Sequence, residues 1–307
     1  MSTAQLDNSN VSKVLGKTVD YPDQYDSSIL VREPRQGNRQ HLNLDDDDLP
    51  FCGYDIWNAY EVSCLTRKGF PVTGIAKIVY PCDNTYIVES KSLKLYLNSF
   101  NMTKIGETAA EARSTMEQHV HEDLSDLLET DVHVTILDPT VVSDATGDGY
   151  FKKDYVTLEH LSEADSWFFT EYSEDPTILT GGQFINNSDY LVAQKYHSSL
   201  LKSNCRVTSQ PDWGDVYIAM KSRKVVKPEH LLKYIVSFRD ENHFHEEVVE
   251  TIYTRLWNMF KPTQLAVTSF YTRRGGIDIN PTRVSSVDLL SCNLIECEVP
   301  FAKASRQ

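Results

Sequence analysis

Tyr96-Leu97-Asn98-Ser99-Phe100 returns 138 residues later as Tyr234-Ile235-Val236-Ser237-Phe238, with its Tyr, Ser and Phe in the same places. Working outward from this pair, Cys64 and Cys205 stand 141 positions apart, and Pro71/Pro211, Gly74/Gly214 and Ile78/Ile218 each stand 140 apart. Leu137-Asp138-Pro139-Thr140 is echoed by Ile279-Asn280-Pro281-Thr282 at 142. An interval that holds between 138 and 142 across the chain predicts two copies of one supersecondary unit.

Each copy reads strand, strand, helix, strand. Gly74–Tyr80 and Asp215–Met220 are short β-rich runs entered through Pro and Gly. A helix over 107–128 follows from Ala109, Ala112, Met116, Val120 and Leu124, spaced by three and four. Its counterpart carries Phe244, Val248, Ile252, Leu256 and Phe260 at every fourth position. Val132–Leu137 and Leu265–Thr272 read as the closing strands. The expected class is α+β, antiparallel sheets with helices packed on one face, and duplicated halves favour a site in the cleft between them. The organisation is a polar, partly disordered arm over 1–50 that ends in the acidic run Asp45–Asp48 and closes onto the body near Phe51, a first unit over 51–160, a connecting segment over 161–190 and a second unit over 191–307.

The chain has 307 residues, 30 Lys and Arg against 44 Asp and Glu, and a formal net charge of −14. That balance disfavours nucleic acid, which demands a basic face, and disfavours an anionic membrane surface. No stretch approaches the ~20 apolar residues of a membrane span, and the polar start MSTAQLDNSN is no signal peptide. Six cysteines without regular spacing point to free thiols in a reducing cytoplasm.

The strongest chemical signal is Asn204-Cys205-Arg206-Val207-Thr208-Ser209-Gln210-Pro211-Asp212-Trp213-Gly214-Asp215. A thiol is the best side-chain nucleophile at neutral pH, and a Pro-Asp-Trp-Gly turn can bring the Asp212 carboxyl back beside it to exchange protons. The bland reading is a buried cysteine before a strand. Cys64 occupies the matching place in the first half, but Val72 stands where Asp212 does, so only the second half pairs thiol with acid, and Cys64 reads as core. Asp215 is the lesser alternative to Asp212.

Phe244-His245-Glu246-Glu247 opens the second helix, where a carboxylate can project into a cleft and accept paired N–H donors from a flat heterocycle; favourable first-turn acids are the competing reading. Glu89-Ser90-Lys91-Ser92-Leu93-Lys94 and Tyr271-Thr272-Arg273-Arg274-Gly275-Gly276 each follow a strand, with cations and glycines suited to phosphate, though exposed basic loops are common. The glycine-rich fingerprints of dinucleotide and ATP sites are missing, so side chains and loops must hold any dinucleotide. His119-x-His121, His243-x-His245 and Cys292-x4-Cys297 lack ligand spacing, and no metal site is expected.

Taken together, Glu89–Phe100, Cys205–Gly214, Ser237–Glu247 and Tyr271–Arg283 resemble the QueF family, the NADPH-dependent 7-cyano-7-deazaguanine reductases of queuosine biosynthesis, in its long, two-module form. Leu15–Tyr25 and Gly53–Glu61 are similar to the family's N-terminal section, and the likeness runs from about residue 14 to 290. It implies tandem tunnelling-fold modules whose chains associate, as a homodimer, into a larger barrel. It implies reduction of a nitrile to a primary amine with two NADPH, in which Cys205 forms a covalent thioimide and Asp212 shuttles protons. By the same resemblance Glu89 and Glu246 grip the guanine-like edge with His245 beside the ring, and Val88 and Ser90 add backbone or hydroxyl contacts. Ser90, Lys91, Arg274 and Gly275 would hold NADPH. The alternatives are a thiol-dependent hydrolase of nitriles, purines or pterins on the same fold, and a heterocycle-binding protein without activity.

Overall fold

The computed structural model describes residues 22, 24–139, 154–181 and 186–290. Most of the Leu15–Tyr25 motif, Thr140 and the Cys292/Cys297 pair lie outside them.

The first half begins with β1 (Arg32–Pro34) and the single turn and a half of α1 (Gln36–His41). A long hairpin, β2 (Cys52–Leu65) and β3 (Pro71–Pro81), is followed by β4 (Tyr86–Val88), α2 (Ser90–Ser99), α3 (Ala109–Leu128) and β5 (His133–Leu137). After β6 (Val156–Thr157) the second half repeats the plan. It has a hairpin of β7 (Asn186–Cys205) and β8 (Pro211–Val225), then α4 (Pro228–Ser237), β9 (Asn242–His243), α5 (His245–Phe260), β10 (Gln264–Tyr271) and β11 (Ile277–Val284). One nine-stranded sheet runs β5-β3-β2-β11-β10-β8-β7-β6, with β9 also on β7. Pairing is antiparallel except where β6 and β9 meet β7. The protein is thus α+β with an antiparallel-dominant sheet.

The repeat is visible in the details of pairing. β2 carries a bulge between Ala59 and Val62, and β7 carries one between Ser198 and Leu201. A bulge adds one residue to one strand and re-aims everything beyond it, so the two hairpins bend alike. Tyr96 and Phe100 meet edge to face at 5.5 Å and 88°, and Tyr234 and Phe238 at 5.5 Å and 84°. Ser99 Oγ donates to Tyr96 O at 2.6 Å and Ser237 Oγ to Tyr234 O at 2.7 Å.

Three expectations need correction. Each half holds a second, shorter helix, α2 and α4, where the sequence reading had only strand and loop before the long helix. Ten residues make fewer than three helical turns, too few for periodicity to separate from a loop. The Leu137–Thr140 and Ile279–Thr282 landmarks are not equivalent: Leu137 ends β5, whereas Ile279 lies inside β11 opposite Trp57. β11 is an extra strand that joins the halves into one sheet. The polar arm, lastly, is packed from residue 24 onward rather than only near Phe51.

That packing is ionic. Arg35 and Arg39 from the arm, Asp55 from β2, Glu250 from α5 and Arg283 from β11 are each 4% exposed or less. Arg35 Nη2 lies 2.5 Å from Asp55 Oδ2, and Arg283 Nη1 lies 2.8 Å from Asp55 Oδ1. Arg39 and Arg283 both reach Glu250 Oε1 at 2.9 Å.

Alternate strand residues build two apolar cores on the helix-covered face. Trp57, Ala59, Ile78 and Tyr80 pack with Leu93, Tyr96, Met116, Val120 and Leu124 in the first half. Val216, Ile218 and Met220 pack with Leu231, Ile235, Val248, Ile252 and Leu256 in the second. The helix face, period four in α3 and α5, sits where the spacing placed it. No helix among the described residues is long and apolar enough to cross a membrane.

Candidate functional site

Cys205 is the last residue of β7. The turn that follows is closed by its own backbone: the Cys205 N–H donates to Gln210 O at 2.8 Å and the Ser209 N–H to Cys205 O at 2.9 Å. Ser203 stands opposite Asp212 in the hairpin. Because side chains alternate along a strand, Asp212 and Cys205 share the helix-covered face with Val216 and Ile218. Asp215, an odd number of residues from Asp212, points to the other face. Cys64, the matching thiol of the first half, is 1% exposed, and burial pushes it above the usual thiol range.

β9 runs parallel to the end of β7, with Cys205 beside His243. The chain then turns directly into α5, so the first helical turn opens next to the thiol. His245 Nε2 lies 3.6 Å from Asp212 Oδ1, and its ring meets Tyr271 edge-on at 4.1 Å. Gly214 makes room for that tyrosine, since a Cβ there would sit 3.1 Å from Tyr271 Cδ1. Asp212 itself is 5% exposed and pairs with the guanidinium of Arg274, which also donates to Pro211 O at 2.9 Å.

Glu246 is 3% exposed, and its Oε1 finds no hydrogen-bond partner among the described residues. Burial first, then the Asp55 charge, push its carboxyl up to about 8, against the pull of Arg35 and Arg283. A protonated carboxyl cannot accept two N–H donors, so affinity for a heterocycle that donates to it should rise as pH increases through about 8. Calorimetric titration with the deazaguanine that the resemblance implies, between neutral and alkaline pH, checks this, and Glu246→Gln should flatten the dependence. An equally steep dependence in that variant would take Glu246 out of the binding step.

From the first half, Val88 ends β4, buried against β1, and leads into Glu89. Glu89 is the N-cap of α2: its carboxylate oxygens accept the Lys91 N–H at 3.0 Å and the Ser92 N–H at 2.7 Å. A carboxylate has about four acceptor sites, so each oxygen keeps one for a ligand. Ser90 starts the helix. Burial pulls the Lys91 ammonium below its usual range, and the neighbouring charges it feels are Cys205, Glu89 and Arg274. The basic loop of the sequence reading is therefore the start of a helix. Arg274 and Ile277 bracket a two-residue hairpin turn, where Gly275 adopts φ +61 and a Cβ would sit 2.6 Å from Lys94 Nζ. The positive φ favours glycine there, whereas the flexible end of Lys94 can swing aside. The cleft thus gathers a thiol with a buried acid, two further carboxylates, an imidazole, and cations from both halves.

Sequence reasoning missed Lys94 as a partner of this turn, although its three-residue spacing from Lys91 put both on one face of a helix. It missed the Arg35/Arg39/Arg283 network too, because scattered single arginines carry no local pattern. Among the described residues no three His, Cys, Asp or Glu side chains group to hold a metal ion.

A half-buried thiol on the same hairpin face as a buried carboxyl, with Arg274 on that carboxyl, suits the class of enzymes that pair a nucleophile with an acid. Comparison with known proteins narrows the class. The family model described as "Nitrile reductase, 7-cyano-7-deazaguanine-reductase N-term" matches residues 21–136, and "QueF-like protein" matches residues 211–287. A Cupriavidus metallidurans protein named NADPH-dependent 7-cyano-7-deazaguanine reductase is 44% identical, aligned over 88% of this chain and 92% of its own. Proteins of the same name from Acidovorax ebreus and Legionella pneumophila are 39% and 40% identical, over 91% and 88% of this chain and 95% and 88% of theirs. A crystal structure of the archaeosine synthase QueF-Like in the apo form aligns with 33% of this chain and 98% of its own at 22% identity and a TM-score of 0.29. This chain belongs to the QueF family of NADPH-dependent 7-cyano-7-deazaguanine reductases.

Proposed function

We propose that this enzyme reduces 7-cyano-7-deazaguanine to 7-aminomethyl-7-deazaguanine through a thioimide on Cys205. Cys205 Sγ adds to the nitrile carbon; the S–C bond forms as one C≡N π bond moves to nitrogen, and the proton lost by the thiol reaches that nitrogen through Asp212. Covalent capture turns a poor electrophile into a C=N unit. NADPH, when bound, supplies hydride, and the change from nitrile to amine takes about two equivalents. Asp212 returns a proton to nitrogen as negative charge develops there. Expulsion of the thiolate regenerates Cys205.

The observation that carries this reading is the pair of Arg274 with the buried Asp212 beside the thiol turn, with the Lys91 charge of the other half felt at Cys205. Ser90, Lys91, Arg274 and Gly275 fit a phosphate-bearing cofactor: Arg274 opens a turn whose positive φ at Gly275 suits glycine, Lys91 feels its charge, and cations near the 2′-phosphate favour NADPH over NADH. Glu89 and Glu246 take the N–H donors of the heterocycle, with His245 beside its ring and Val88 and Ser90 completing the wall. The paired bulges and helix pairs support tandem tunnelling-fold modules, within boundaries near 51–160 and 191–307; assembly as a homodimer in the cytoplasm is what the family resemblance implies. A net charge of −14 suits the free base rather than RNA.

Loss of NADPH absorbance on adding 7-cyano-7-deazaguanine to the purified protein tests the reading, with about two equivalents consumed per nitrile. Ammonia release without NADPH consumption would instead indicate a hydrolase. Asp212→Asn should still bind the heterocycle but reduce it about 100-fold or more slowly, the usual contribution of a positioned acid–base group. An unchanged single-turnover rate removes Asp212 from the mechanism.

A further inference from the structure

Arg206 follows the thiol directly, and the proposed chemistry makes no use of it. Its Nη2 lies 2.7 Å from Glu247 Oε2, with the guanidinium side chain 38% exposed and the carboxylate 8%. Its Cζ stands 5.2 Å from the centre of the Phe244 ring. The same Glu247 Oε2 accepts the Phe244 N–H at 2.9 Å and lies 3.4 Å from His243 Nδ1. Across the cleft Glu33 of β1 faces the pair: burial raises its carboxyl, Arg206 draws it down, and its Oε1 has no hydrogen-bond partner among the described residues. A guanidinium on a nearly buried carboxylate is held more firmly than a surface pair.

The turn over 205–210 is closed by two backbone hydrogen bonds and by Arg274, whose Nη2 donates to Gln210 O at 3.2 Å on the far end of the turn, while Ser209 sits in the left-handed region at φ +54. We propose that Arg206 is a positioning residue, whose pair with Glu247 ties the thiol turn to the first turn of α5. That tie fixes Cys205 relative to Glu246, the residue before Glu247, and to Asp212 across the hairpin. The proposal rests on Cys205 being the nucleophile. Misplacing a reacting atom by a fraction of an ångström is costly even when every reacting group remains.

The test uses full-length Arg206→Leu, Arg206→Lys and Glu247→Gln. Arg206→Leu should lower kcat about tenfold and leave the KM for NADPH within about twofold. Arg206→Lys, which keeps the charge, should recover most of the loss, and Arg206→Leu combined with Glu247→Gln should be no slower than the slower single variant. A second readout needs no substrate. Alkylation of Cys205 by iodoacetamide, followed on its own peptide, should change at least about threefold in Arg206→Leu and stay near the parent rate in Arg206→Lys. Parent-like kcat and alkylation in Arg206→Leu overturn the proposal, as does a fall in kcat without a change in alkylation, or a lysine variant as impaired as leucine. Were the protein to consume no NADPH at all, the alkylation rates would still decide the role of Arg206, separating its failure from that of the reductase reading.

Discussion

Cys205→Ala should abolish NADPH consumption driven by 7-cyano-7-deazaguanine, by at least about 10⁴-fold, because without the S–C bond a nitrile offers hydride no activated carbon. The substitution is mild for the fold: Cys205 is half-buried at a strand end, and its backbone hydrogen bonds to Gln210 and Ser209 survive. The heterocycle should still bind, since Glu89, Glu246 and His245 are untouched. Mass spectrometry of the unaltered protein with substrate and no NADPH should reveal a stoichiometric adduct that Cys205→Ala lacks. Cys64→Ala is the matched control. It removes a buried thiol and should cost about 1–2 kcal/mol of stability with kcat unchanged. Substantial turnover in Cys205→Ala would end the covalent mechanism while leaving the family assignment in place.

The second large effect is on stability. Arg283→Met should destabilise the protein by about 3–5 kcal/mol, because it leaves Asp55 and Glu250 buried with part of their compensation gone. Arg283 is 0% exposed and bridges both carboxylates. Its neighbours also hold Glu250 down to about 2 despite full burial. A carboxylate depressed from about 4.5 to about 2 contributes stability that is complete above pH ~4.5 and disappears as pH falls toward 2. The unaltered protein should lose stability over that window, and Arg283→Met should begin to lose it at higher pH. Urea midpoints across the acid range measure both effects. A midpoint shift worth under about 1 kcal/mol would show that Arg35 and Arg39 hold the carboxylates unaided.

The network matters for the site because Glu246 precedes Glu250 by one helical turn and feels Asp55, Arg35 and Arg283. The arm residues Arg35 and Arg39 thereby stand behind the start of α5, a position invisible in a stretch that reads as polar.

Local patterns carried the α+β class, the two long helices and the duplicated hairpins, because periods of two and near four record which side of each element meets a core. They also distinguished Cys205 from Cys64, through the aspartate seven residues on that valine replaces in the first half. What needed the folded chain were relations between distant segments. Lys91 feels the charges of Cys205 and Arg274 from the other half, which β11 joins to the first in one sheet. Arg39 meets Glu250 across 211 residues of chain, and the cap that α2 draws from Glu89 depends on β4 ending where β1 supports it. Spacing along a chain records local geometry. Electrostatic partnership falls off with distance in space and leaves no mark in residue order.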